Sequence, residues 1–235
     1  MLANELYAEL TSERWTDPAQ ELCECGERAV VPPPAPKADA PPKKPVMDLV
    51  VLIDGSDSIE EGHWKPLLDW VWSFLSKFET SEELKNKYDG TSTMIIVQYS
   101  TAPSYVEHHA MLSELESLKA KLNSMIQMAQ GTETFHALQF IMSEQGPLEQ
   151  LHKQQIFGAV DNFVESLLVI TNGRARDEIT MDSEAILSEV HERFENVVVV
   201  GMGSELAGND QQIRDIASEK CGQELVFKVD HVTLL

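Results

Sequence analysis

Met47-Asp-Leu-Val-Val-Leu-Ile-Asp54-Gly-Ser56-Asp-Ser58-Ile59 is an apolar run that stops abruptly at a carboxylate. Uninterrupted apolar residues from Leu49 to Ile53 suit a strand buried on both faces, as in a parallel sheet covered by helices. Asp54, Ser56 and Ser58 then follow at alternate positions. They fall at the strand's carboxyl end, where open α/β sheets place their ligands. One carboxylate and two hydroxyls on a tight turn offer hard oxygens to a hard cation such as Mg2+. Ser58 and Glu61 also spell a Ser-x-x-Glu capping box, so the same residues read equally as a strand, a turn and a capped helix with no ligand. The remainder of the chain separates these readings.

Downstream, strand and helix patterns alternate. Glu60 to Phe78 carries Trp64, Leu67, Leu68, Val71, Leu75 and Phe78 at helical spacing, and Trp70, Trp72 and Phe74 make it apolar on more than one side. That predicts a buried or doubly packed helix. Met94 to Tyr99 reads as a second strand, and Tyr105 to His108 as its hairpin partner at a sheet edge. His108 and His109 would point to opposite faces and so cannot share a metal. Leu112, Leu115, Leu118, Leu122 and Ile126 mark one amphipathic helix, and a polar turn at Gly131 opens another that runs through Met142. Glu144 to Asn162 has no clean period and reads as a loop with a helical turn. Leu167 to Ile170, Val197 to Met202 and Leu225 to Val229 are strands; Ser183 to Phe194 and Gln211 to Ser218 are helices. Alternating units of this kind predict an α/β fold: a doubly wound, mostly parallel sheet with one antiparallel edge strand and helices on both faces, Rossmann-like in layout.

Upstream of that domain the composition changes. Residues 1–31 hold Leu2, Leu6 and Leu10 at helical spacing, then Trp15, Cys23 and Cys25, too little apolar material for a core. Residues 32–46 contain seven prolines, which favours extended polyproline II and a semi-rigid spacer about 40 Å long. The folded domain is expected over 47–235, with a C-terminal helix that His231 to Leu235 begin and do not finish. Cys23, Cys25 and Cys221 are too few for a disulfide framework, and two thiolates without further ligands make a weak metal site.

A formal charge of −21 argues against nucleic acid or an anionic membrane surface as partner. The longest apolar runs are too short to span a bilayer, and the glutamate-bearing N-terminus does not resemble a signal peptide. Gly-x-Gly-x-x-Gly after a strand, Gly-x-x-x-x-Gly-Lys-Ser/Thr and Gly-x-Ser-x-Gly are all missing from the sequence, and Asp54-Gly-Ser56 lacks the second aspartate of an Asp-x-Asp phosphoryl-transfer site. A binding module is therefore expected rather than an enzyme.

Three segments end strands or open helices on one expected rim: Asp54-Gly-Ser56-Asp-Ser58, Gly131-Thr132-Glu-Thr134 and Thr171-Asn172-Gly173. This order resembles the three loops of the metal-ion-dependent adhesion site in von Willebrand factor type A domains, over Asp48 to about Val229. The stretches Ile216-Ala-Ser-Glu-Lys and Val226-Phe-Lys-Val are similar to inserted domains of leukocyte-type integrin α chains, and to the type A module of complement factor B. The short segment Gly203 to Asp210 departs from collagen-binding integrin domains, so collagen is not the expected ligand. The resemblance implies Asp54, Ser56, Ser58, Thr132 and Asn172 as metal-site residues, with Mg2+ or Mn2+ as the ion. It implies a protein partner whose Glu or Asp completes the coordination, and an extracellular or cell-surface setting within a larger receptor or matrix protein. Asp57, Glu133, His136, Arg174 and Arg176 are expected to border the site.

Family members usually carry Asp where this chain has Asn172. Losing that charge about 5 Å from a divalent ion removes roughly 6–7 kcal/mol of gross Coulomb attraction at an effective dielectric near 20, with a much smaller net loss. A weak site, a Mn2+-preferring one and an empty one all remain open. The alternative function is a metal-independent structural or interaction domain with a degenerate site, or, by the same resemblance, a complement-type module.

Overall fold

The computed structural model describes residues 46–80, 92–102, 105–111, 114–155, 163–172, 175–178, 180–203, 210–220 and 222–229. The proline-rich stretch, Cys23, Cys25, Cys221, Leu112, Gly173, Arg174 and the segment after Val229 lie outside them.

Strand β1 (Val46–Asp54) is buried at all nine positions, as its unbroken apolar run requires. It pairs in parallel with β2 (Thr93–Tyr99) on one side and β4 (Phe163–Thr171) on the other. Strand β3 (Tyr105–Met111) runs antiparallel to β2 and forms one edge. Beyond β4 come β5 (Asn196–Met202) and β8 (Val226–Val229), both parallel, giving the order β3-β2-β1-β4-β5-β8. A separate small hairpin, β6 (Glu219–Lys220) with β7 (Gln223–Glu224), was not expected from the sequence. Two-residue strands carry no periodic signal.

Side-chain alternation along β1 divides the interior into two layers. Met47, Leu49, Val51 and Ile53 pack against α1 (Glu61–Thr80), whose outer side meets α2 (Leu115–Ser124). Val50 and Leu52 face α3 (Thr134–Met142), α4 (Pro147–Gln155), α5 (Ser183–Arg193) and α6 (Gln211–Ile216). The double packing of α1 appears in its tryptophans: Trp64 and Trp70 are buried, while Lys119 of α2 lies over the Trp72 ring at 5.0 Å.

Three expectations are corrected. Residues 147–155 form the helix α4, not a loop with one turn; Pro147 occupies its first position, where no N–H is needed, and Leu148 is fully buried. Two apolar side chains in nine residues left too faint a period to read. The helix expected through Ile126 stops at Ser124, and Ile126 is 84% exposed. Past that point the chain turns back toward β1 instead, with Ala129 in the left-handed region at φ 52°. Finally, α1 starts at Glu61, so Ser58 lies three residues before its first helical position and cannot be the N-cap of a Ser58–Glu61 capping box.

Candidate functional site

Neighbouring strands β1 and β4 have their following helices on opposite faces of the sheet: α1 lies on one layer, α5 on the other. Their carboxyl ends thus open the crevice that forms at a topological switch point. Period-2 alternation places Asp54, Tyr99 and Thr171 on the same face, toward α3. The contacts agree. Thr171 Oγ1 donates to Asp54 Oδ2 at 2.9 Å, and Tyr99 Oη and Thr134 Oγ1 are 3.0 Å apart.

Asp54 is fully buried. Its Oδ1 accepts from Ser56 N–H at 2.9 Å, the self-turn that an Asp-x-Ser sequence favours. Burial pushes the carboxyl above its ordinary range, while hydrogen bonds from Ser56, Thr171 and the Asn172 backbone pull it back down. Burial, together with the Asp54 charge, raises the Tyr99 phenol well above its usual value, so it stays a neutral hydroxyl beneath the site.

The hydroxyls converge above this carboxylate. Ser58 Oγ donates to Asn172 Oδ1 at 2.8 Å, and Asn172 Nδ2 donates to the Ser58 carbonyl at 2.5 Å. Ser56 Oγ and Ser58 Oγ are 2.5 Å apart. With the Ser58 proton directed at Asn172, the proton between the two hydroxyls would come from Ser56, the same proton that a side-chain bond from Ser56 to Asp54 would use. Asn172 therefore clamps the first loop through both ends of its amide, which an aspartate could not do.

Backbone hydrogen bonds bring in the second loop. Asp57 N–H donates to Gln130 O at 2.9 Å, and Arg176 N–H donates to Thr132 O at 2.8 Å. Thr132 is 3% exposed and is tied to the third loop through its main chain. Gln127, which sequence reading missed, anchors the return segment by donating from Nε2 to Ser56 O and Ile59 O, both at 2.7 Å. A lone Gln in a loop carries no signal for such a role.

The expected rim residues divide. Asp57 and Arg176 are exposed and face one another, with Nη2 3.7 Å from Oδ1. Glu133 is turned inward, its Oε2 accepting from Ala102 N–H at 2.9 Å. His136 is held by Asp177, whose Oδ2 accepts from His136 N–H at 2.8 Å and lies 3.0 Å from its Nδ1.

Asp177 was also missed. Glu133 makes no side-chain cap for α3, so a carboxylate 41 residues away supplies the bond to the orphan N–H of His136. Asp177→Ala should cost about 1–2 kcal/mol, the usual range for a lost cap. That corresponds to roughly 2–8 °C in a chain this size. Thermal melting checks it; an unchanged midpoint would remove the capping role.

Among the described residues no three His, Cys, Asp or Glu side chains gather as a metal site. Any cation here would rest on one carboxylate, hydroxyls and an amide oxygen. That donor chemistry suits a hard ion and no soft one.

An α/β domain with an oxygen-rich loop cluster at its switch point is thus defined. The chain belongs to the von Willebrand factor type A domain family, whose model matches residues 48–235. Chicken matrilin-1 is 24% identical over 188 residues, covering 80% of this chain and 34% of matrilin-1. Mouse integrin alpha-X is 25% identical over 204 residues, covering 85% of this chain and 16% of the integrin. The chain therefore spans about a third or less of these relatives. Proximal thread matrix protein 1 from the mussel byssus, solved with a zinc-occupied MIDAS motif, aligns with a TM-score of 0.57 at 16% identity, over 81% of this chain and 45% of its own. At that identity it supports the fold alone.

Proposed function

We propose that this domain is a divalent-cation-dependent protein-binding module, not an enzyme, in a larger extracellular matrix or cell-surface protein. The observation that carries the reading is Asp54: a fully buried carboxylate whose hydrogen bonds, among the described residues, come from neutral groups. A buried charge calls for a counter-charge, and the hydroxyls of Ser56 and Ser58 stand beside it. Asp54, Ser56, Ser58, Thr132 and Asn172 would hold Mg2+ or Mn2+. When bound, the ion supplies an electrophilic position for a carboxylate. The partner class is thus a protein presenting Glu or Asp. The matrilin and integrin relatives support the same direction. Residues 1–31 as an upstream segment and 32–45 as a spacer complete the proposal; Val46, expected as the last spacer residue, is the first residue of β1.

Titration calorimetry of the full chain with Mg2+ and, separately, Mn2+ tests it. Saturable one-site binding of either ion is expected. The second reading, a cation-independent interaction domain, is favoured by the Asn172 clamp, which satisfies the Ser56–Ser58 hydroxyls without an ion. Absence of binding by both ions would select it.

A further inference from the structure

We infer that Arg176 is a second anchor for the acidic partner, so that the preferred ligand is a segment presenting two neighbouring carboxylates, one for the oxygen cluster and one for this guanidinium. The inference rests on the cation-bridged reading above and adds the chemistry of the partner to it.

The side chain is placed by all three loops. Its backbone N–H donates to Thr132 O at 2.8 Å, which fixes its origin beside the second loop. It then lies across Gly131, where a Cβ would come within 3.4 Å of Nη1 and 3.8 Å of Cδ. Those are ordinary van der Waals distances, so the side chain rests against the Gly131 turn; the tighter approach for a Cβ there is Thr101 Oγ1, at 3.0 Å. The guanidinium ends with Nη2 3.7 Å from Asp57 Oδ1, next to the two serines of the first loop. Arg176 therefore spans the second and first loops at the border of the cluster.

Its environment leaves it available. The contact with Asp57 is beyond hydrogen-bond length, and the two side chains are 65% and 58% exposed. Such a pair contributes little to stability. Among the described residues of the three loops Arg176 is the one Lys or Arg, in a chain of formal charge −21. The net charge repels an acidic segment at long range, which leaves a local cation at the cluster's border to favour its approach there. Glu133, the acid on the second loop, is bound inward to Ala102 N–H and does not compete. Asp57 does: it stands where a partner's second carboxylate would be. A planar guanidinium offers a two-point grip on such a group, which an ammonium would not.

The probe is a pair of equal-length synthetic peptides in a Gly/Ser background, one with a single Glu, the other with two adjacent Glu. Binding to the full chain is measured with Mn2+ present, and the readout is the ratio of the two affinities. A loop defect would weaken both together and leave the ratio alone. The wild type should prefer the two-acid peptide about five- to tenfold, of which about twofold is the statistical advantage of a second acid. Arg176→Gln should bring the ratio down to about two, and Asp57→Asn should raise it above the wild type by removing the internal competitor. A ratio unmoved by Arg176→Gln, or equal binding of both peptides, overturns the role of Arg176 while leaving the cation site standing. Failure of both peptides to bind, with Mn2+ shown to be bound, overturns the acidic-partner reading and this inference with it.

Discussion

Asp54→Ala is expected to abolish Mg2+ and Mn2+ binding, and Asn172→Asp to tighten it by one to two orders of magnitude, roughly 1.4–2.8 kcal/mol. Asp54 is the single carboxylate of the cluster, so its removal leaves only neutral oxygens, which hold a hydrated divalent ion poorly. Restoring a charge at 172 recovers part of the gross Coulomb attraction, most of which desolvation offsets. The same substitution should act oppositely on the metal-free protein. Nδ2 of Asn172 donates to Ser58 O, and a carboxylate there would put acceptor against acceptor above the buried Asp54. The metal-free melting point should fall by a few degrees, about 1 kcal/mol for a partly exposed bond. Added Mn2+ should then raise it further in Asn172→Asp than in the wild type. Calorimetry and melting, each with and without ion, measure both signs. Tightening without metal-free destabilisation would mean that Asn172 is not the clamp described. Wild-type affinity in Asp54→Ala would remove Asp54 from the site.

Gly55→Ala should destabilise the fold by about 1–3 kcal/mol, the range for overpacking a filled interior. A Cβ at Gly55 would lie 2.3 Å from Gln98 Nε2 and 2.8 Å from its Cγ. Gln98 is fully buried, so it has no solvent to retreat into. Nor can the loop withdraw, because Gly55 N–H donates to Tyr99 O at 2.7 Å and Gly55 O accepts from Ala129 N–H at 2.8 Å. Since the substitution must shift either Gln98 or the turn that aims Ser56, cation affinity should fall with stability. Gly62→Ala is the matched control. It lies exposed in the first turn of α1 with nothing within 4 Å of a Cβ, and should stabilise by up to about 1 kcal/mol through helix propensity. Denaturant unfolding distinguishes the two. Equal effects at both glycines would contradict the close approach at Gly55.

Much of the architecture was legible because β1, β2, β4 and β5 are short apolar runs rich in β-branched residues, which suit buried parallel strands better than buried helix segments. The weaker periods failed where packing, not pattern, decided. Leu148 and Leu151 alone announced α4, and the intact leucine spacing of α2 continued on paper through Ile126 although the chain had already turned away. In the candidate site, Asp54, Ser56 and Ser58 could be read together because they share one turn, and Thr132 and Asn172 because the family resemblance supplied an order for the loops.

By itself the sequence determined the strand-helix alternation, the carboxyl-end position of the oxygen cluster and the excess of negative charge, all of which follow from local composition and period. Tertiary structure decided what each polar group in the loops is bonded to. Asp177 caps a helix 41 residues away, Glu133 folds inward to Ala102, and Asn172 clamps Ser58 across 114 residues. Such choices depend on which loops the sheet order sets side by side. A hydrogen bond reaches only about 3 Å, so its partner is fixed by that juxtaposition and leaves no trace in the spacing of residues along the chain.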